Sequence, residues 1–164
     1  MARAGFYTVE AGKISFRRDG HWYVDEERID NPRIALLFSR SVGRAPDGSY
    51  FLQVGDERAL ITVEDTPYVV KSIKGDAHQG FSLVLNDETV ERLDPGSLSI
   101  GADNVLYCLV KQGQHRARFL RPAYYHLSQS LHADDNGGFF FAIMGKRYPV
   151  RPAAGGASNV TDAT

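Results

Sequence analysis

The sequence is poor in cysteine, in long apolar runs and in any excess of charge, and each scarcity excludes a class of protein. The single cysteine, Cys108, permits no internal disulfide, lacks partners for a zinc site, and is most simply a small buried hydrophobe. Apolar runs reach six residues, as at residues 139–144, whereas a membrane-spanning helix needs roughly 20. The 19 Lys and Arg nearly balance the 20 Asp and Glu, so no net charge favours nucleic acid or an anionic membrane. With no signal-peptide pattern at the amino terminus, the sequence predicts a cytoplasmic protein that binds neither nucleic acid nor a membrane.

Catalytic and cofactor signatures are also missing. The sequence has no Gly-x-Ser-x-Gly elbow, no glycine-rich phosphate loop before a lysine, and no His-Glu-x-x-His motif. None of the five histidines stands four residues from another, and no cluster of Cys or Asp accompanies them at ligand spacing. We therefore expect no metal, no cofactor and no catalytic residue.

The chain does contain a clear order of turn, strand and helix signals. Asp19-Gly20 separates two apolar runs and predicts a β-hairpin over residues 14–24. Asn31-Pro32 then predicts the start of a helix, Gly43 its end, and a second hairpin follows over residues 50–63. The apolar residues of this helix recur at three- and four-residue spacing, which predicts a stripe facing the interior: Ile34, Leu37, Phe38 and Val42.

The same order returns in the second half of the chain. A shift of 89 residues aligns residues 34–61 with residues 123–150 without a gap, and a shift of 84 aligns the hairpin that precedes them. The five additional residues of the second copy are expected near residues 111–114. We interpret the pattern as an internal duplication. Two copies are too few for a solenoid, so they are expected to pack on each other.

These signals predict an α+β protein made of two related sheet-rich halves, each roughly β-β-α-β-β. Between the two copies, residues 68–73 and 81–85 predict further strands, with a turn at Gly75-Asp76. The composition near the carboxyl terminus, rich in Ala, Gly, Ser and Thr, predicts disorder. The expected division is an N-terminal half, 1–66, a C-terminal half with the additional strands, 67–151, and a disordered tail, 152–164.

Three segments of the first half carry a family resemblance: the hairpin around Asp19-Gly20-His21-Trp22-Tyr23, the helix at residues 34–39, and above all Val63-Glu64-Asp65-Thr66-Pro67-Tyr68. They resemble the bacterial domain-of-unknown-function family 1285 (DUF1285), and the likeness continues more loosely over residues 83–150. The resemblance implies a duplicated β-rich fold whose second half is loosely pleckstrin-homology-like. It also implies a role in signalling and a nucleotide-like ligand between the halves, without enzymatic activity. The sequence departs from the family pattern at residues 25–28.

Alignment of the two copies shows where the second carries polar groups in place of apolar ones. His126 aligns with Leu37 on the stripe predicted to face the interior, and Tyr124 and Tyr125 also replace apolar residues. A buried imidazole needs a hydrogen-bond partner, so His126 is either a satisfied core residue or a ligand contact. The two tyrosines are either packing residues or ligand contacts.

Basic residues concentrate in the second copy. Residues 76–110 contain six acidic residues and one basic residue, whereas residues 111–151 contain seven basic and two acidic residues. Arg121 precedes Pro122 at a predicted helix start, where free backbone amides also attract anions. This basic set is either an ordinary solvated face or an oxyanion site, because guanidinium groups suit phosphate and carboxylate. The set comprises Arg116, Arg118, Arg121, Lys146 and Arg147.

Neighbouring residues in a strand point to opposite faces, so the two members of an adjacent pair are expected in different surroundings. Of Trp22 and Tyr23, one is expected in the core and the other at the junction of the halves. Glu64 and Asp65 are not expected to share a substrate. Asp65 is expected to hydrogen-bond the following turn, and Glu64 to meet an arginine of the other copy.

Taken together, the sequence predicts a non-catalytic regulatory protein that binds a small anionic, nucleotide-like ligand between its halves and signals to a protein partner. A protein-interaction module without a small ligand is the first alternative. A hydrolase or transferase that uses His126 with Ser128 or Tyr125 is the second. The predicted ligand contacts are Trp22, Tyr23, Arg118, Arg121, Tyr124, Tyr125, His126 and Arg147.

Overall fold

The computed structural model describes residues 13–152, which form two compact sheet-rich units. Among these residues, one unit runs to Tyr68 and takes in Asn86–Glu88. The other comprises Val69–Leu85 and the chain from Thr89 onward. The predicted disordered tail, apart from Pro152, lies outside the described residues. No helix between residues 13 and 152 has the length and apolar character needed to cross a membrane.

The first unit is a six-stranded mixed sheet with one helix. Its strands follow the order β3-β2-β1-β6-β5-β4, and all neighbours are antiparallel except β1 and β6, which are parallel. Helix α1 (Pro32–Arg40) connects β3 to β4. Both predicted hairpins are confirmed, and the short strands β3 and β4 are additional to the predicted order. The strand bounds are β1 Ile14–Phe16, β2 Trp22–Val24, β3 Glu27–Arg28, β4 Val42–Arg44, β5 Tyr50–Val54 and β6 Glu57–Val63.

Helix α1 begins as the sequence predicts and ends earlier. The side chain of Asn31 accepts hydrogen bonds from two backbone N–H groups of the first turn, as an N-cap does. The helix ends at Arg40, and both Val42 and Gly43 lie in β4, so the predicted stop at Gly43 was wrong. Gly43 has another role: a Cβ there would lie 2.5 Å from the ring of Phe51 on the neighbouring strand.

The apolar stripe of α1 is largely exposed, and the expectation that it faces the interior was wrong for this helix. Ile34 and Leu37 are 42% and 47% exposed, and the one buried helix residue is Ser39. Phe38 packs edge-on against Trp22, with ring centroids 5.5 Å apart. The helix therefore buries the side that carries Phe38 and Ser39, and leaves Ile34 and Leu37 to solvent.

The core of the first unit contains a buried hydroxyl that accepts two hydrogen bonds. Trp22 is 1% exposed and packs on Phe16 with ring centroids 4.8 Å apart. Its indole N–H donates to Ser39 Oγ at 2.9 Å, and the side-chain amide of Asn86 donates to the same oxygen at 2.9 Å. Because buried polar groups are costly when unpaired, this hydroxyl fixes the hairpin, the helix and the 86–88 segment to one another.

The second unit contains a six-stranded mixed sheet and a three-stranded antiparallel sheet. The larger sheet has the order β10-β11-β12-β7-β8-β9 and the smaller one β13-β14-β15. Helix α2 (Arg121–Ser128) connects β12 to β13. The predicted turn at Gly75-Asp76 was wrong, because both residues belong to the end of β7. The strand bounds are β7 Tyr68–Asp76, β8 Gly80–Leu85, β9 Val90–Arg92, β10 Ser99–Ile100, β11 Leu106–Val110, β12 His115–Phe119, β13 Leu131–Ala133, β14 Phe139–Ile143 and β15 Lys146–Pro149.

The connectivity of the two copies confirms the internal duplication. The elements from β10 to β15 follow the same order as those from β1 to β6, with a helix after the third strand of each copy. The cross-strand pairs of β4 with β5 recur in β13 with β14 at a shift of 89 residues. The parallel pairing between the start and the end of each copy also recurs. Phe16 pairs with Val63 in the first copy, and Ile100 forms a parallel bridge with Pro152 in the second.

The second copy differs from the first in two respects. Its β11-β12 hairpin is longer than the β2-β3 hairpin, and the turn lies at residues 111–114, where additional residues were expected. Strand β12 also has a further neighbour, β7, which brings β8 and β9 with it. The equivalent strand of the first copy, β3, stands at the edge of its sheet.

Candidate functional site

The structure divides the predicted ligand contacts between the two units. Trp22 and Tyr23 lie in β2 of the first unit. The remaining six belong to the second unit, namely Arg118 in β12, Arg121, Tyr124, Tyr125 and His126 in α2, and Arg147 in β15. The second unit therefore holds most of the candidate site.

Trp22 and Tyr23 point to opposite faces of β2, as predicted. Trp22 is in the core and presents almost no surface to a ligand. Tyr23 is half-buried, and its hydroxyl donates to Asp19 at 2.6 Å. The guanidinium of Arg17 lies 3.9 Å from the Tyr23 ring centroid and bonds Glu26 at 2.7 Å. The hydroxyl and one ring face of Tyr23 are thus already engaged within the first unit.

The environment of Tyr23 leads to a testable pH dependence. Its hydrogen bond to Asp19 raises the pKa of the phenol above the ordinary value of 10.0. Because the folded pKa is raised, this bond stabilises the protein fully below about pH 10 and its contribution is lost as the pH rises through the folded pKa. We expect the near-ultraviolet difference titration of wild type against Tyr23→Phe to show a midpoint above pH 10.0. Asp19→Asn should move that midpoint down, and a midpoint at or below the ordinary value in wild type would contradict the assignment.

Glu64 is paired within its own copy. Its carboxylate accepts from the backbone N–H of Arg18 at 2.8 Å and lies 3.2 Å from the Arg18 guanidinium. The expectation that it meets an arginine of the other copy was wrong. The reason is topological, because β1 and β6 are parallel neighbours and the residues that follow β1 therefore lie beside the end of β6.

Two arginines of the second unit share one face of β12. In the β11-β12 register, Arg118 stands opposite Tyr107 and Arg116 opposite Leu109. Residues at these positions project from the same face of an antiparallel pair. The Arg116 guanidinium lies 4.4 Å from the Tyr107 ring centroid. The opposite face is buried and includes Cys108, whose thiol pKa is raised by burial.

The chain passes from this basic strand directly into the first turn of α2. Arg121 is the first residue of the helix and is exposed. Leu120, at the N-cap position, makes no side-chain hydrogen bond to the first turn, whereas the equivalent residue of the first copy, Asn31, caps α1. The first N–H groups of a helix carry partial positive charge when no side chain caps them. Positive charge therefore accumulates from Arg116 to Arg121.

The aromatic residues of α2 lie in different surroundings. Tyr125 is 56% exposed, whereas Tyr124 and His126 are half-buried. The rings of Tyr124 and Tyr125 are 5.9 Å apart. The imidazole of His126 meets the ring of Phe81 on β8 edge-on, with centroids 5.8 Å apart. His126 thus lies at the margin of the core, and Tyr125 is the aromatic residue with the most accessible ring.

Helix geometry does not place His126 beside Ser128. Residues two apart in an α-helix are separated by about 200° around the axis, so these side chains project to different sides. Ser128 Oγ instead donates to the backbone carbonyl of Tyr125 at 2.8 Å. Within residues 13–152, no group of three His, Cys, Asp or Glu side chains converges at metal-binding distance.

Arg147 belongs to a stacked arrangement that the sequence analysis did not identify. Its guanidinium lies 4.5 Å from the ring centroid of Phe140, which stacks on His132 at 5.5 Å. In the first copy, the guanidinium of Arg58 lies 4.0 Å from the ring centroid of Phe51. Both pairs align at the shift of 89 residues, so comparison of the two copies could have predicted this contact between arginine and phenylalanine. Arg147 thus has a packing role shared by both copies.

Two solved structures resemble this chain in fold. A DUF1285 family protein from Silicibacter pomeroyi DSS-3 matches with a TM-score of 0.67 at 18% identity, over 92% of this chain and 88% of that one. A DUF1285 family protein from Shewanella baltica OS155 matches with a TM-score of 0.57 at 19% identity, over 72% of this chain and 91% of that one. No protein-family model and no curated protein sequence matches. The resemblance predicted from the sequence is confirmed at the level of the fold.

Proposed function

We propose that this chain is a non-catalytic regulatory protein of the cytoplasm whose second unit binds a small anionic ligand of the nucleotide or organic-acid class. One observation carries the proposal. Arg116 and Arg118 project from one face of β12, and that strand leads into the exposed, uncapped first turn of α2 at Arg121. No acidic residue lies between residues 115 and 121, so these groups form a continuous basic segment.

The chemistry of the basic segment favours an oxyanion. A guanidinium binds carboxylate or phosphate through two parallel N–H groups, and this geometry is stronger and more directional than a lysine contact. The flat face of the Arg116 guanidinium stacks on Tyr107, which fixes its position on this face of the sheet. Backbone amides of the α2 first turn add donors of the same sign.

The aromatic residues of α2 extend the proposal from an anion to a nucleotide-like ligand. Tyr125 presents an exposed ring on the helix that begins with Arg121. A ligand that carries both a phosphate and a planar base would use the two features together, because its base can stack on the ring while its phosphate meets the positive charge. Contact between this ligand and Tyr23 of the first unit stays a prediction.

Ligand-induced stabilisation tests the proposal. We expect at least one member of a nucleotide and organic-acid panel to raise the melting temperature, since a ligand at about 100 times its Kd stabilises by about 2.7 kcal/mol. Arg121→Ala and Arg118→Ala should each weaken binding about 10-fold or more, equivalent to about 1.4 kcal/mol. Arg33→Ala is the matched control, because it removes one exposed positive charge from α1 in the first unit.

The controls separate a specific site from general charge attraction. Equal losses in Arg33→Ala and Arg121→Ala would indicate nonspecific attraction and would contradict the proposed site. A panel without any stabilising compound would favour the protein-interaction module instead. The exposed apolar residues of α1 give that second candidate its own structural support.

A further inference from the structure

Helix α1 carries an exposed surface that differs from its counterpart in the second copy. We define the α1 stripe as Ile34 and Leu37 together with Arg33 and Arg40. Arg33, Ile34 and Arg40 each lie three or four residues from Leu37, so the four side chains share one side of the helix. Large apolar residues left on one helix side are a feature of interaction surfaces when they are contiguous.

The equivalent helix of the second copy, α2, shows which residues can pack against this side of the helix. At the shift of 89 residues, Ile34 corresponds to Ala123, which is fully buried, and Leu37 corresponds to His126, which is half-buried. His126 is covered by Phe81 of strand β8. The same helix side is thus covered by an added β-strand in the second copy and left open in the first.

The sheet topology accounts for this difference. Strand β8 reaches the second copy because β7 joins the free side of β12 and carries β8 and β9 with it. The equivalent strand β3 has no further neighbour and ends its sheet. The first copy therefore lacks both the added strands and the aromatic residue that they place against the helix.

Charge indicates what kind of segment would fill the open position. Helix α1 contains Arg33 and Arg40 and no acidic residue. Arg33 has no acidic partner among residues 13–152, and Arg40 donates to the backbone carbonyl of Asp87. A segment that complements these two arginines therefore carries acidic side chains.

We propose that the α1 stripe docks an extended, acidic segment of a partner protein that places an aromatic side chain against Leu37. The aromatic residue would occupy the position that Phe81 has in the second copy, and flanking carboxylates would meet Arg33 and Arg40. A second copy of this chain fits the surface poorly, because two α1 stripes brought together would oppose arginines without an acidic partner on either helix. This surface lies on the first unit and does not depend on the proposed anion site.

Selection from a library of random dodecamer peptides on the full chain tests the proposal. We expect the recovered peptides to combine aromatic residues with Asp or Glu. Their affinity, measured by fluorescence polarisation, should fall about 10-fold or more in Leu37→Glu. Arg33→Glu should also weaken binding, since it reverses a charge and keeps the apolar surface. Leu60→Glu is the matched control, because Leu60 is 49% exposed in the same unit but lies on β6.

Several outcomes would overturn the proposal. The first is the recovery of peptides that are basic or lack aromatic residues. The others are a peptide affinity that Leu37→Glu leaves unchanged, and a loss of affinity in Leu60→Glu equal to that in Leu37→Glu. Because Leu37 is exposed, Leu37→Glu should retain the melting temperature of the wild type, which separates lost binding from lost folding. Sedimentation equilibrium completes the test: a dimer that Leu37→Glu dissociates would identify a second copy as the occupant and would reject the acidic partner.

Discussion

Replacing Ser39 by alanine is expected to lower the free energy of unfolding by about 2–4 kcal/mol, although the substitution removes a single oxygen atom. That oxygen accepts hydrogen bonds from the Trp22 indole and from the Asn86 amide in a buried environment. Alanine would leave both donors without this acceptor, and each buried unsatisfied donor costs about 1–3 kcal/mol. The higher helix propensity of alanine returns only about 0.5 kcal/mol.

The duplication provides the control for this prediction. Ser128 occupies the equivalent position of α2 and donates only to a carbonyl of its own helix, so Ser128→Ala should cost less than about 0.5 kcal/mol. Urea denaturation can be followed by circular dichroism, which reports on both units, and by the emission of Trp22, the one tryptophan of the chain, which reports on the first unit. Equal stability losses in the two variants would show that the hydrogen bonds to Ser39 do not carry the stated energy.

Gly75→Ala is expected to destabilise the protein by about 3 kcal/mol or more. Gly75 has a φ of +106°, which L-residues rarely adopt, and a Cβ there would overlap the backbone carbonyl oxygen of Gly80. Backbone strain of this kind costs about 1–3 kcal/mol, and forced overlap with a rigid backbone atom adds about as much. The variant should therefore disrupt the pairing of β7 with β8.

Gly55→Ala separates the two contributions. Gly55 also has a positive φ, +61°, but no atom lies within 4 Å of a Cβ built there. Only the cost of a left-handed residue remains, about 1–2 kcal/mol. Circular dichroism in urea measures both variants. A Gly75→Ala variant no less stable than Gly55→Ala would contradict the overlap with Gly80.

Local signals accounted for much of the fold. The Asp19-Gly20 hairpin and the Asn31 cap were predictable because a turn and an N-cap are determined by a few adjacent residues. The duplication was predictable for a similar reason, since it preserves the spacing of such signals. In contrast, Gly43 was assigned to the wrong role, because its requirement comes from the ring of Phe51 on another strand.

The side of α1 that faces the core could not be read from periodicity. Apolar spacing locates a stripe, but which side is covered depends on the strands that pack beneath the helix, and β7 to β9 adjoin only the second copy. In the candidate site, too, some features could be predicted from the sequence and others depend on the fold. Composition located the arginines, whereas the stacking of Arg116 on Tyr107 follows from the β11-β12 register, which no local signal specifies.

In each copy the first strand lies beside the end of the last, through Phe16 and Val63 in one and Ile100 and Pro152 in the other. Each copy thus pairs its own first and last strands, and the backbone hydrogen bonds between them need no strand from the other copy. A second unit added in tandem, or a segment such as β7 to β9 inserted between the copies, leaves this pairing intact. Such self-contained pairing gives a physical reason why this architecture tolerated duplication.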